Sequence, residues 1–280
     1  MQIVFEGKEI NLPTKWSEVP AEKVPALIDL VYLSKETGQT MHQVLMICLG
    51  YTPLEYGQLM RKHFGKKLTE LQRVANAEVL HDLFSALRWL YSEPMDQMPF
   101  KQYKFEGKSW ILPDPDLYAV TFGEITDAYV HMHAFVKQLI PGDERLNLLV
   151  ATVCRPKRTG KLPDNWDGDS RESYNEFVSK KYAEKVASWP VNIKIQVLIY
   201  FSACLQRMLG SYDISGTEDI PEEYPGQGFV KNQHLLAQKI YPGLPAVKVA
   251  NAHEVLLFLQ ENKADLMERQ KQQKNDYRDF

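Results

Sequence analysis

The chain has 280 residues, 44% of them hydrophobic, with 33 Lys and Arg against 36 Asp and Glu for a formal net charge of −3. That content can fill one large core or two small ones and argues against disorder. The near-balanced charge lacks the basic excess that sequence-independent phosphate binding needs, so nucleic acid is not expected as the main partner. Cys48, Cys154 and Cys204 lie in apolar helical stretches and none has metal-ligand spacing, so they are expected as reduced core residues.

The amino terminus, MQIVFEGKEI, has neither a basic n-region nor an apolar h-region, and no signal peptide is expected. The residues FEGKEINLP at 5–13 recur as FEGKSWILP at 105–113. Apolar and polar residues alternate on both sides of each Glu-Gly-Lys, which predicts two short hairpins in which Gly7 and Gly107 supply the positive φ of the turn. Pro13 and Pro113 cannot donate to a ladder and end each hairpin.

After the first hairpin, helices are predicted over Pro20 to Lys35, Met41 to Leu49 closing at Gly50, Leu54 to Phe64, and a long one over Leu68 to Tyr91. In the last, Leu68, Leu71, Ala75, Leu80, Leu83, Phe84, Leu87 and Leu90 form one apolar stripe. The segment SEPMDQMP at 92–99 reads as a linker, giving two modules, 1–99 and 100–280.

In the second module, Thr121-Phe-Gly-Glu124 reads as a capping box opening a helix to about Leu139. Asp143 to Cys154 is predicted as the next helix, stopped by Arg155-Pro156, and a polar loop then leads to helices over Tyr174 to Ser188 and Pro190 to Leu209. The most apolar run, Ile195 to Leu205, has eleven residues, far short of the roughly 20 that cross a bilayer, and fits a buried core helix. Gly210 to Gly228 is predicted as an acidic exposed loop, followed by helices over Phe229 to Tyr241 and Ala252 to about Lys274. The last helix loses its apolar stripe after Met267, so its end is expected to fray or to be held by a partner. The fold class expected is mainly α, with two short β-hairpins that each precede helices.

Chemistry-bearing constellations are sparse. His131 and His133 stand two apart on a helix and do not face one another, so no metal site is expected there. Asp164, Asp167 and Asp169 around Gly168 miss the calcium-loop spacing and read as a solvated loop. No phosphate-cradling loop, GxSxG elbow or catalytic cysteine signature occurs, and no catalytic, metal or cofactor residue is assigned. Arg155, Lys157, Arg158 and Lys161 beside Trp166 form a basic patch that suits a solvated surface better than a nucleic-acid contact. Trp16, Trp110, Tyr118, Phe122 and Tyr129 are expected to pack each hairpin onto its helix, with Phe5, Trp16, Phe105 and Trp110 as the packing residues that hold the modules, not as a site.

The order FEGK, a strand, LP, a spacer with Trp or Tyr, then a helix resembles proteins encoded among the structural genes of tailed bacteriophages, especially phages and prophages of Bacteroidetes-like hosts. Residues 5–19, FEGKEINLPTKWSEV, follow a pattern like F-x-G-K-x-Y-x-L-P-x-x-W-x-E-V-T, residues 105–125 give the second version, and LLVATVCRP at 148–156 is similar to a recurring helix end. The first copy departs in having Pro20 where the helix-opening Thr would stand. The resemblance implies a virion or assembly component of the tail, baseplate or head-to-tail region, in the virion or host cytoplasm, with no catalytic residues or cofactors. Its partners would be other phage structural proteins, with homo-oligomerisation allowed and no membrane. The alternatives are an enzyme with a pocket between the modules, using His81, Asp82, Glu124 and His131, or a nucleic-acid accessory protein using Arg155 to Lys161.

Overall fold

The computed structural model describes residues 1–5, 8–95, 97–160, 166, 168–214 and 223–276. The protein is mainly helical with minor antiparallel β structure, and it divides into two compact units, Met1–Phe100 and Lys101–Phe280.

In the first unit, β1 (Gln2–Phe5) pairs antiparallel with β2 (Lys8–Asn11), Ile3 opposite Ile10. The turn residue Gly7 and the side chain of Phe5 lie outside the described part. Beyond the hairpin, Leu12 and Trp16 are buried, and the Trp16 indole donates to the Glu93 carbonyl at 3.2 Å and meets Trp89 edge-on at 5.6 Å. The Gln97 amide donates to the Val19 carbonyl at 3.2 Å and also to that of Trp16. α1 (Val24–Ile28) runs into a π-helical turn over Asp29–Leu33. α2 (Gly38–Leu49) starts with Thr37 accepting from the Thr40 amide and stops at Gly50, whose φ of +76° favours glycine. α3 (Pro53–Phe64) and α4 (Glu70–Ala86) each open with a full capping box, Thr52 with Glu55 and Thr69 with Gln72.

The long helix read from Leu68 to Tyr91 is not continuous. At Leu87 and Arg88 the amides bond three residues back, to Phe84 and Ser85, and a separate α5 (Trp89–Ser92) follows. The apolar stripe is also only half used: Leu83, Leu87 and Leu90 are buried, but Leu71 is 81% exposed and Ala75 is exposed.

In the second unit, β3 (Tyr103–Phe105) pairs with β4 (Lys108–Ile111) through a two-residue turn. Glu106 (φ +46°) and Gly107 (φ +73°) are both left-handed, so the turn is of the mirror-image kind that matches strand twist, and the positive φ does not fall to glycine alone. Arg155-Pro156, expected only as a helix stop, forms β5 (Arg155–Pro156), a third strand with Pro156 opposite Trp110. Proline is tolerated there because the strand is short and at the edge.

α6 (Phe122–Val136) packs against α7 (Glu144–Val153), which also packs against α8 (Glu176–Val186) and α9 (Val191–Gly210). The apolar run of α9 is a core helix, with Val197, Phe201 and Leu205 buried, and Tyr200 donating to the Pro113 carbonyl at 2.8 Å. α10 (Gln227–Lys239), the unanticipated short α11 (Leu244–Val249) and α12 (Ala252–Asp276) complete the unit. A Cβ on Gly123 would stand 2.8 Å from the Lys248 carbonyl, so this glycine lets α11 approach α6.

The aromatic residues sort differently from expectation. Trp110 is buried and meets Tyr182 and Trp189, each at 5.0 Å, while Tyr103 and Phe105 also reach Trp189 at 4.5 and 5.8 Å. Phe122 and Tyr129 instead face Phe229 of α10, at 5.9 and 4.9 Å, and Tyr118 is 67% exposed against His253. All three cysteines are buried free thiols; Cys154 stands just past α7 instead of inside it. Among the described residues no helix is long and apolar enough to cross a membrane.

Candidate functional site

Among the described residues, three places stand out for side chains that can do something other than fill a core. The first is a buried ion cluster. The Glu124 amide donates to the Thr121 hydroxyl at 3.2 Å, but the other half of the expected capping box is missing, because the Glu124 carboxylate turns inward. It accepts from Arg171 Nη1 at 2.7 Å and Arg155 Nη1 at 2.9 Å, while Asp169 accepts from Arg171 Nη2 and Arg155 Nη2, both at 2.9 Å. Arg171 Nη1 also donates to the Val153 carbonyl at 2.7 Å. Two cations and two anions cancel, and such a set is sustained by mutual satisfaction, since each ion alone would be costly to bury. Burial opposes the charge of both guanidiniums, but at Arg171 the two carboxylates more than compensate and its pKa rises.

The cluster corrects two sequence readings. Asp169 is not part of a solvated loop; it is a buried ion partner, while Asp164 and Asp167 lie outside the described residues. The basic patch loses its anchor, because Arg155 is 2% exposed and Arg158 donates through Nε to the Arg171 carbonyl at 2.5 Å. Lys161 lies outside the described residues.

The second place is an apolar groove of about 190 Å³ in the first unit between α2, α3 and α4, lined among others by Leu45, Leu49, Leu59, Met60, Val79 and Leu83. Asn76 donates to the His63 carbonyl at 2.7 Å and ties α4 to the end of α3. His42 Nδ1 and the Tyr56 hydroxyl are 2.7 Å apart, and burial pushes the imidazole pKa down and the phenol up to about 12. On α4, Leu71, Val74 and Val79 are 81%, 52% and 49% exposed.

The third place is an open cleft of about 620 Å³ between α6, α7 and α8, lined by His131, Asp143, Arg145, Asn147, Lys180 and Glu184 with apolar neighbours. Arg145 Nη1 lies 3.3 Å from His131 Nδ1. A guanidinium can only donate, so this ring nitrogen accepts and the neutral imidazole carries its proton on Nε2. Burial above all, then the charges of Arg145 and Lys180, lowers the His131 pKa to about 4. Behind the cleft the almost fully buried Lys194 donates to Asn147 Oδ1 at 3.0 Å and faces Asp143 at 3.5 Å.

Of the residues weighed for an enzyme, His81 and Asp82 are exposed on α4 of the first unit, and Glu124 and His131 belong to the second. Glu124 is taken up by its two arginines. His133 lies against Tyr129 at 4.2 Å, and among the described residues no group of three or more His, Cys, Asp or Glu could hold a metal ion. Sequence reasoning missed Arg145, Lys180 and Lys194. The one signal was Lys194 itself, a cation at the head of the apolar run of α9.

No protein-family model, curated protein or solved structure matches the chain at a significant level.

Proposed function

We propose that the protein is a non-enzymatic structural or assembly protein of a tailed phage particle, acting in the tail, baseplate or head-to-tail region through contacts with other proteins. The observation that carries the binding role is the apolar surface of the first unit, where the open groove beside α4 adjoins a helix that displays Leu71, Val74 and Val79 to solvent. Apolar side chains shown in this way on a helix beside an apolar groove suit a partner's helix or strand. The phage assignment draws on the repeated FEGK-to-LP pattern and the LLVATVCRP segment.

An antibody against the chain, applied to sedimented particles and assembly intermediates from an induced prophage-bearing host, tests this role. Co-sedimentation that is lost when Leu71 and Val74 are both replaced by Asp is the expected result. A chain found only in the soluble fraction and monomeric by light scattering at every concentration overturns the reading.

A further inference from the structure

We infer that the cleft between α6, α7 and α8 is a binding site for a small oxyanion, the carboxylate or phosphate group of a small molecule, held by Arg145 and Lys180 beside His131. The cleft's 620 Å³ is ample for a small organic ligand. Among the described residues the one hydrogen-bond contact of Arg145 is with the His131 ring, and no carboxylate pairs with its guanidinium. An oxyanion would supply the paired acceptors that match the geometry of the guanidinium fork.

Lys180 makes no ion pair among the described residues; its ammonium lies 5.6 Å from the Phe177 ring centroid. Both cations act on His131, and the charge of Lys180 also reaches Asp127 and Glu176. Arg145 and Lys180 come from α7 and α8, and the ring between them from α6, so three helices fix the relative positions of the donors.

The acidic side chains in the cleft set what it can accept. Asp143 faces Lys194, while Glu144 and Glu184 are exposed. With these carboxylates present the cleft is close to neutral overall, which disfavours an extended polyanion such as a nucleic-acid strand but leaves a favourable place for one compact anion at the Arg145 end. This site lies in the second unit, and the inference does not depend on the function proposed from the first.

The test is an NMR titration of the histidine rings of the full-length chain with inorganic phosphate and, separately, succinate, at ionic strength held constant with sodium chloride; His131→Asn assigns the ring signals. Saturable movement of the His131 signals, together with a rise in its pKa on binding, is expected. Arg145→Gln should abolish it, Lys180→Gln should weaken it about tenfold or more, and Glu184→Gln should tighten it. Lys180 and Glu184 are exposed, so their variants keep the fold and the comparison stays readable. Saturation by phosphate alone identifies a phosphate site, by succinate alone a carboxylate site, and by both a general oxyanion site. Signal changes that do not saturate, or binding that survives both Arg145→Gln and Lys180→Gln, overturn the inference.

Discussion

The two hairpins start from nearly the same nine residues and end in different surroundings. β1–β2 stays two-stranded, and the chain after it is pinned by Trp16 in a pocket closed by Trp89 and the Glu93 carbonyl. β3–β4 acquires β5 as a third strand, rests its aromatic face on Trp189 and Tyr182, and has the Glu124, Arg155, Asp169 and Arg171 cluster at the root of β5. A two-stranded ribbon alone is marginal in water. The comparison teaches that the repeated segment encodes a turn and two strands, while the stability of each copy is supplied by residues distant in sequence.

The largest effect that would sharpen this contrast is expected from Arg171→Met. It leaves Glu124 and Asp169 buried with one cation between them, a situation that costs about 3–5 kcal/mol. Hydrogen exchange on the full chain should show β3–β5 amides losing protection while β1–β2 amides keep theirs; equal loss in both hairpins would break the contrast. Next comes Trp189→Ala, which removes the ring that Tyr103, Phe105 and Trp110 share and should cost roughly 3 kcal/mol, read as a lower denaturant midpoint.

Acid should also weaken the second unit. His131 has a folded pKa of about 4, below its ordinary 6.5, so between those values the unfolded chain binds a proton that the folded chain does not. The contribution is therefore complete above pH 6.5 and is lost as pH falls toward 4, by at most about 3 kcal/mol. Unfolding followed against pH should show that slope flatten in His131→Asn. His42 in the first unit is shifted the same way by burial, so its signals report whether the first unit shares the trend.

The smallest effects lie in the turn. Nothing stands within 4 Å of a Cβ placed on Gly107, so Gly107→Ala pays only for its φ of +73°, about 1 kcal/mol. Glu106→Asn suits the φ of +46° better and should raise the thermal midpoint slightly. A Gly107→Ala loss as large as that of Trp189→Ala would mean that the turn, and not its support, holds the second hairpin.

Local chemistry was readable in the sequence. The turn at Glu106-Gly107, the Thr121 cap, the glycine stop at Gly50 and the core character of α9 depend on neighbours within a few residues, and each appears in the structure within a residue or two of its reading. The stripe on α4 misled, because periodicity tells which side chains share a face but not whether anything covers them; Leu71 and Leu83 read alike, and one is exposed and the other buried.

The candidate sites were hardly legible. Arg155 and Asp169 looked like surface charges because composition around them is polar, and only their convergence with Glu124 and Arg171 makes them interior ions. Arg145 and Lys180 lie 35 positions apart and meet His131 through the packing of three helices, a relation no local pattern encodes. By itself the sequence determined a mainly helical protein with two hairpins, through backbone preferences that act over one turn. Only the tertiary structure decided which charges are buried, which strand completes the second sheet and which cations have no carboxylate partner among the described residues, because these depend on long-range burial, where desolvation makes the presence or absence of one partner decisive.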